Sequence, residues 1–287
     1  MEFQDNYLYK RPIINHFDFF VNKVYEPFYL KVIREIKSPN KIQKNAIVLL
    51  SKTVNTLKAI VNLIKEGNIV SARVLARSLF EIKLIGRKLI LEPEKFLKYS
   101  SANDLFTRLF AVRQLKENKY LPIANFVDHN KQEQDILDEI KSLGFTPTYD
   151  GTKDMNNGKR HVNKYFEIKE MAQTCGGMEL EMYNTMYKNL CQDTHTSSNH
   201  FHRYFVQGES EEMIFDFHPY LYEVPLLISV IMNFINDSVG DFCNILYINP
   251  KNELTYNLRV FYGYCFATLP LLMRQGELKM QGFLNPL

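Results

Sequence analysis

The chain has 287 residues, of which 46% are hydrophobic and 23% charged, the composition of an ordinary globular protein. Its 35 basic and 32 acidic side chains leave a net charge of +3, whereas a dedicated nucleic-acid-binding domain is usually strongly basic as a whole. The four cysteines lie far apart and form no CxxC pair. This argues against a disulfide framework or a zinc knuckle and favours a reducing compartment.

The apolar stretches argue against a membrane span. The strongest of them, residues 224–235 and 260–273, are shorter than the roughly 18 residues that a span requires. The first residues are polar, unlike a signal peptide, and no lipidation motif is present. The sequence therefore predicts a soluble, cytoplasmic protein with no membrane partner.

The first predicted elements are three helices. Residues 12–36 predict the first. In Lys41–Lys65, aliphatic residues recur at alternating spacings of 3 and 4 and so line one face of a long helix: Ile47, Leu50, Val54, Leu57, Val61 and Ile64. Gly67 then favours a tight turn into a third helix, Ile69–Leu91. Residues 41–91 thus predict a long antiparallel helical hairpin.

Helical periodicity continues downstream. It recurs over residues 93–118, 131–143, 162–173, 178–195, 223–246 and 254–273. Residues 144–160 are rich in Gly, Asn, Asp and Thr and predict a loop-rich insertion, while Gly176 and Gly177 predict a helix break. Residues 196–217 predict a lid or a short extended segment.

No convincing β alternation and no internal repeat is present. We therefore predict an all-α fold, a helical bundle that forms a single domain over residues 1–287. The hairpin 41–91 is its core, and the helices of residues 223–273 close it.

One stripe of charged residues interrupts the otherwise apolar helix Ile69–Leu91. Arg73, Arg77 and Glu81 follow one another at intervals of four, so they share one helix face. Buried charges must be paired or hydrogen-bonded. The stripe therefore indicates either a solvated edge with i,i+4 ion pairs or a functional cleft.

A second polar feature lies at the end of the predicted helix 178–195. Tyr183, Tyr187, Cys191 and His195 repeat at intervals of four and would point to one side. Histidine is suited to proton transfer near neutral pH, and an Arg–Glu pair beside it would bind an anion and orient the imidazole. Nearby polar residues complete this candidate site: Asp193, Ser197, Ser198, His200 and His202. The alternative is that His195 is a hydrogen-bonded structural residue, which is the more common role of a single inward-facing histidine.

Several chemistries lack their motifs. The sequence contains no phosphate loop, dinucleotide-binding GxGxxG, HExxH or GxSxG pattern. The spacing of His195, His200 and His202 matches no recognised zinc pattern. We therefore expect no metal and no cofactor.

The two features together resemble a family of uncharacterised prokaryotic helical proteins. In that family one helix carries A-R-S-L-x-E, which reads Ala76 to Glu81 here, and a distal helix ends in S-x-x-x-H-x-S, whose first Ser is Cys191 here. These proteins are similar to the HEPN superfamily of helical nucleases and toxins, often tied to phage defence. HEPN ribonucleases place an arginine shortly before the catalytic histidine, whereas here only Lys188 is basic in that stretch.

The resemblance implies a HEPN-like bundle, often dimeric, acting on RNA or a nucleotide by metal-free acid–base phosphodiester chemistry. His195, Arg77 and Glu81 would be the catalytic residues, while Arg73, Asp193, Ser197 and Ser198 would bind the substrate. The alternative is a non-enzymatic helical module that recognises a protein partner or a small ligand through its many Tyr and Phe residues. Convergence of Arg77, Glu81 and His195 in one open pocket would favour the enzyme.

Overall fold

The computed structural model describes residues 11–117, 128–147, 158–191, 205–207, 213–215, 223–248 and 254. Most of these residues are helical, so the predicted all-α class is confirmed. The chain divides into two compact units, Met1–Arg87 with Glu181–Leu287, and Lys88–Leu180. The single domain expected over residues 1–287 stays a prediction.

The first helix, α1, has three consecutive parts: an α-helix Arg11–Phe19, a π-helical turn Phe20–Tyr25 and an α-helix Glu26–Glu35. The predicted helix 12–36 is thus confirmed. The π-helical turn was not predicted; in it the amide of Glu26 donates to the carbonyl of Val21, five residues back. Such turns insert one extra residue into a helix and are frequent at functional sites.

The two helices of the predicted hairpin are confirmed with their predicted bounds, as α2 (Lys41–Lys65) and α3 (Ile69–Leu91). Asn40 and Gln43 form a capping box at the start of α2, in which each side chain accepts a hydrogen bond from the other's amide, at 2.9 and 3.1 Å. Gly67 turns the chain with a φ of 77°, a conformation that favours glycine.

Helices α1 and α2 pack antiparallel, because their contacts pair early residues of one with late residues of the other. Asp18 pairs with Lys65 at 2.6 Å, and the hydroxyl groups of Tyr29 and Ser51 lie 2.6 Å apart. Five members of the predicted apolar face of α2 are buried, whereas Ile47 is half-buried. The buried five are Leu50, Val54, Leu57, Val61 and Ile64.

The second unit is built on α4 (Pro93–Glu117) with α5 (His129–Ser142), α6 (Lys159–Tyr165) and α7 (Ile168–Cys175). The core of this unit contains Ala102, Leu105, Phe106, Leu109, Val112, Ile136, Ile140, Phe145 and Val162. The helix predicted over residues 162–173 is interrupted between α6 and α7. Gly176 ends α7 with a φ of 137° and confirms the predicted break.

Helix α8, like α1, has three consecutive parts: an α-helix Gly177–Met182, a π-helical turn Tyr183–Tyr187 and an α-helix Lys188–Cys191. Two short antiparallel strands follow, β1 (Phe205–Gln207) and β2 (Met213–Phe215), with Val206 opposite Ile214. They agree with the short extended segment expected within residues 196–217.

The last described helix, α9 (Val224–Leu246), lies beside α2 and α3 in the first unit. Three ion pairs join it to α3: Arg73 with Glu223, Lys83 with Asp237, and Arg87 with Asp241. In these pairs, later residues of α3 meet later residues of α9, so the two helices run parallel. The rings of Phe80 in α3 and Phe234 in α9 pack against each other, with 5.1 Å between their centroids. The helix predicted over residues 254–273 lies outside the described residues except for its first.

Two of the described helices, α2 and α9, are long and apolar enough to cross a membrane by length and composition alone. The same test is passed by core helices of soluble proteins, and 72% of the relevant window in α9 is buried inside the molecule. Location in the cytoplasm stays a prediction.

Candidate functional site

The predicted charged stripe of α3 contacts α8 through a tyrosine. The Nε of Arg77 donates to Oε1 of Glu81 at 2.9 Å and to the hydroxyl of Tyr187 at 3.1 Å. The same hydroxyl donates to Oε1 of Glu81 at 2.9 Å. The three side chains thus close a triangle of hydrogen bonds, which we call the Arg77 cluster.

The Arg77 cluster lies at the boundary between the core and solvent. The side chains of Arg77 and Glu81 are 30% and 28% exposed, whereas Tyr187 is buried. The guanidinium also lies over the tyrosine ring, 5.5 Å from its centroid. Of the two alternatives for the stripe, the structure therefore contains the i,i+4 ion pair, but braced by a second helix rather than left as a solvated edge.

The π-helical turn of α8 brings Tyr187 to this position. Its ring stacks on the ring of Tyr183, with 5.4 Å between the ring centroids, and packs against Phe80 of α3, with 5.3 Å between centroids. Tyr187 also makes a side-chain hydrogen bond with Cys191, one turn further on. Tyr183, Tyr187 and Cys191 therefore follow one another on α8 as the sequence spacing predicts.

Burial sets the protonation of the cluster. It raises the pKa of Tyr187, and the hydrogen bond to Glu81 raises it further. Burial would lower the pKa of Arg77, but the hydrogen bond to Tyr187 and the charge of Glu81 outweigh this and raise it. Burial also raises the pKa of the Cys191 thiol, although Tyr187 and Arg77 oppose the rise. At neutral pH Arg77 is therefore cationic and Tyr187 neutral, and the nearby Cys191 thiol is neutral as well.

Arg73 lies one turn before Arg77 and is buried. It pairs with Glu223 just before α9 and donates to the backbone carbonyl of Asn189 in α8 at 3.4 Å. Arg73 thus ties α3 to both neighbours. A direct contact between Arg73 and a substrate stays a prediction.

The remaining residues of the predicted site lie outside the described residues: Asp193, His195, Ser197, Ser198, His200 and His202. Cys191, the last described residue of α8, is one helical turn before His195 in the sequence. The convergence of Arg77 and Glu81 is observed, and their convergence with His195 stays a prediction. In the part of the chain that the structure describes, no group of three or more His, Cys, Asp or Glu side chains could hold a metal ion.

Two partners of the stripe were not predicted from the sequence. Tyr187 was placed on the right face of its helix, but no spacing rule shows that its hydroxyl reaches α3. Glu223 is 150 positions from Arg73, so local patterns give no sign of the pair.

Residues 43–213 match the model of a family of unknown function, DUF5677. The match includes all of the Arg77 cluster. No curated protein and no solved structure matches the chain. Because the match extends over more than half of its residues, the chain belongs to the DUF5677 family.

Proposed function

We propose that the protein is a HEPN-like effector of the phage-defence or toxin type that acts on RNA or a nucleotide by metal-free acid–base chemistry. The observation that supports this best is the Arg77 cluster: a cationic side chain held by Glu81 and Tyr187, next to the helix that leads to His195. A fixed cation beside a histidine is what phosphodiester chemistry without a metal requires.

In the proposed reaction on RNA, the 2′-oxygen forms a bond to the adjacent phosphorus and the bond to the 5′-oxygen breaks. His195 takes the proton of the 2′-hydroxyl while water supplies one to the leaving 5′-oxygen, or His195 supplies that proton while water takes the first. Arg77 neutralises the charge that develops on the phosphoryl oxygens, and Glu81 orients Arg77. Asp193, Ser197 and Ser198 would contact the substrate, with Arg73 fixing the helices around it.

The alternative is a non-enzymatic module that binds a protein or a small ligand. It is favoured by large apolar side chains that the described surface leaves exposed, among them Phe110 at 55%, Met178 at 61% and Tyr247 at 87%. Isolated exposed apolar residues are common on soluble proteins, so this observation is weaker than the cluster.

The test is incubation of the purified protein with total RNA, end-labelled oligonucleotides and free nucleotides, with and without a chelator. The His195→Ala variant is compared with wild type, and His16→Ala, at an exposed position of α1, is the matched control. We expect cleavage by wild type and His16→Ala in both conditions, and its loss in His195→Ala with an unchanged thermal midpoint. Cleavage by His195→Ala, unfolding of that variant, or loss of activity with the chelator would each contradict the proposal.

The resemblance also implies a homodimer in the cytoplasm, and we propose this state for the active protein. Light scattering during size-exclusion chromatography measures it directly. A monomer at the concentrations used for the cleavage assay would contradict the dimer but leave the chemistry testable.

A further inference from the structure

The antiparallel pair of helices α1 and α2 is rich in positive charge. Residues 11–65 contain ten basic and three acidic side chains, a net charge of +7 in a chain of net charge +3. Three of these cations are paired locally: Lys31 with Glu35, Lys58 with Glu26, and Lys65 with Asp18.

Four of the remaining cations cluster around the α1–α2 connection. Arg34, Lys37, Lys41 and Lys44 are all exposed, and none has an acidic partner within 4.0 Å among the described residues. Lys41 and Lys44 lie in the first turn of α2, which contains no acidic residue. Cations are unfavourable at this end of a helix, so the arrangement does not serve the stability of α2.

Two exposed aliphatic residues lie among these cations. Ile33 is 39% exposed and Val48 is 54% exposed. The contact between the hydroxyl groups of Tyr29 and Ser51 shows which residues of α1 and α2 lie opposite each other. Helical periodicity places Ile33 on α1 and Val48 on α2 each about one turn from this contact, toward the connection. We call these six residues the tip surface: Ile33, Arg34, Lys37, Lys41, Lys44 and Val48.

We propose that the tip surface docks the protein peripherally on an anionic phospholipid membrane. Clustered lysines and arginines are attracted to acidic headgroups, and aliphatic side chains between them enter the boundary with the acyl chains. Single-stranded nucleic acid is usually held by cations together with aromatic rings for base stacking, and the tip surface has no aromatic residue. The mixture of charge and aliphatic area therefore favours lipid over RNA.

A peripheral contact is distinct from a membrane span. The expectation of no membrane partner rested on the length of apolar stretches and on missing lipidation motifs, neither of which this contact requires. The inference does not depend on the proposed catalytic function, since it concerns α1 and α2 and its test measures no turnover.

The test is co-sedimentation of the full chain with vesicles of phosphatidylcholine alone, or of equal parts phosphatidylcholine and phosphatidylglycerol. We expect binding to the second kind only, weakened by added salt. Lys41→Glu/Lys44→Glu and, independently, Arg34→Glu/Lys37→Glu should each weaken partitioning at least about tenfold. Ile33→Ser/Val48→Ser should weaken it while leaving the charge unchanged.

The matched control is Lys131→Glu/Lys169→Glu, which makes the same change of charge at exposed positions outside α1 and α2. This control should lose no more than about twofold. Equal losses in the control and tip variants would overturn the proposal, because net charge alone would then explain binding. Absence of binding to the acidic vesicles, or binding of an RNA homopolymer instead, would also overturn it.

Discussion

Tyr25 and Tyr187 each occupy the last position of a π-helical turn, yet their hydroxyl groups have different surroundings. The hydroxyl of Tyr187 bonds to Arg77 and Glu81. The hydroxyl of Tyr25 is buried without a hydrogen-bond partner among the described residues, and burial raises the pKa of Tyr25. The same residue type in the same local structure thus provides an internal comparison.

Removing the two hydroxyl groups should have opposite effects. Tyr187→Phe removes one hydrogen bond from each of Arg77 and Glu81, which keep their own ion pair, so we expect the free energy of unfolding to fall by about 1 to 2 kcal/mol. Tyr25→Phe removes a buried group that bonds to nothing described, so stability should stay the same or rise. Urea denaturation of both variants measures the difference. Equal destabilisation would show that the Arg77 cluster contributes nothing through Tyr187.

At the scale of elements, Gly86 of α3 marks close packing against α9. A Cβ atom at Gly86 would lie 3.2 Å from the ring of Phe242, whereas one at Gly240, within α9, would meet nothing within 4 Å. Alanine favours a helix over glycine by about 1 kcal/mol. We expect Gly240→Ala to raise the thermal midpoint and Gly86→Ala to raise it less or lower it. A larger rise for Gly86→Ala would mean that the contact with Phe242 is loose.

Glu92 connects α3 to α4 through three donors. Its carboxylate accepts from Lys88 and Lys95, each at 2.9 Å, and from Tyr165 at 3.2 Å. Burial alone would raise the pKa of Glu92, but the hydrogen bonds from the two lysines lower it from 4.5 to about 2. A lowered pKa means that ionised Glu92 stabilises the folded state fully above pH 4.5 and loses this effect as the pH falls toward 2.

Glu92→Gln should therefore destabilise the protein at neutral pH by on the order of 2 kcal/mol. The difference from wild type should shrink as the pH falls from about 5 toward 2. Glu94→Gln, an exposed neighbour, is the control and should change little. Unfolding free energies measured across this range decide the matter, and a pH-independent difference would contradict the assigned role of the ionised carboxylate.

The spacing of residues in the sequence predicted the helices, but it did not predict which side chains contact each other between helices. The bounds of α2 and α3 followed from aliphatic spacing and one turn glycine, and the Arg77–Glu81 pair followed from its i,i+4 separation. The π-helical turns could not be predicted, because one inserted residue leaves the apolar spacing almost intact. The hydroxyl bridge from Tyr187 depends on how two distant helices pack, which no window of the sequence contains.

At the scale of the whole molecule, the ion pairs between α3 and α9 are unequal in exposure. Lys83 is 1% exposed, while its partner Asp237 is 37% exposed, and their charged atoms lie 2.7 Å apart. Losing the carboxylate therefore removes the Asp237 ion pair from an ammonium that water does not reach, whereas losing the ammonium leaves a charge that water can reach.

Asp237→Asn should accordingly be the more damaging change, with a loss of about 3 to 5 kcal/mol. Lys83→Met removes the charge but keeps most of the side-chain volume, and its loss should be smaller. Denaturant unfolding of the two variants gives the ranking. The reverse order would indicate that the ammonium of Lys83 is solvated in the folded protein.

The parallel pairing of α3 with α9 has a consequence for how the chain must fold. Lys83 and Asp237 are 154 positions apart, so the whole second unit emerges from the ribosome before α9 can reach its place. The family match ends at residue 213, ahead of α9. A chain cut at that boundary would retain the Arg77 cluster but leave Lys83 without its carboxylate and Phe80 without Phe234. We therefore expect a chain that ends at the family boundary to be less stable than one that includes α9.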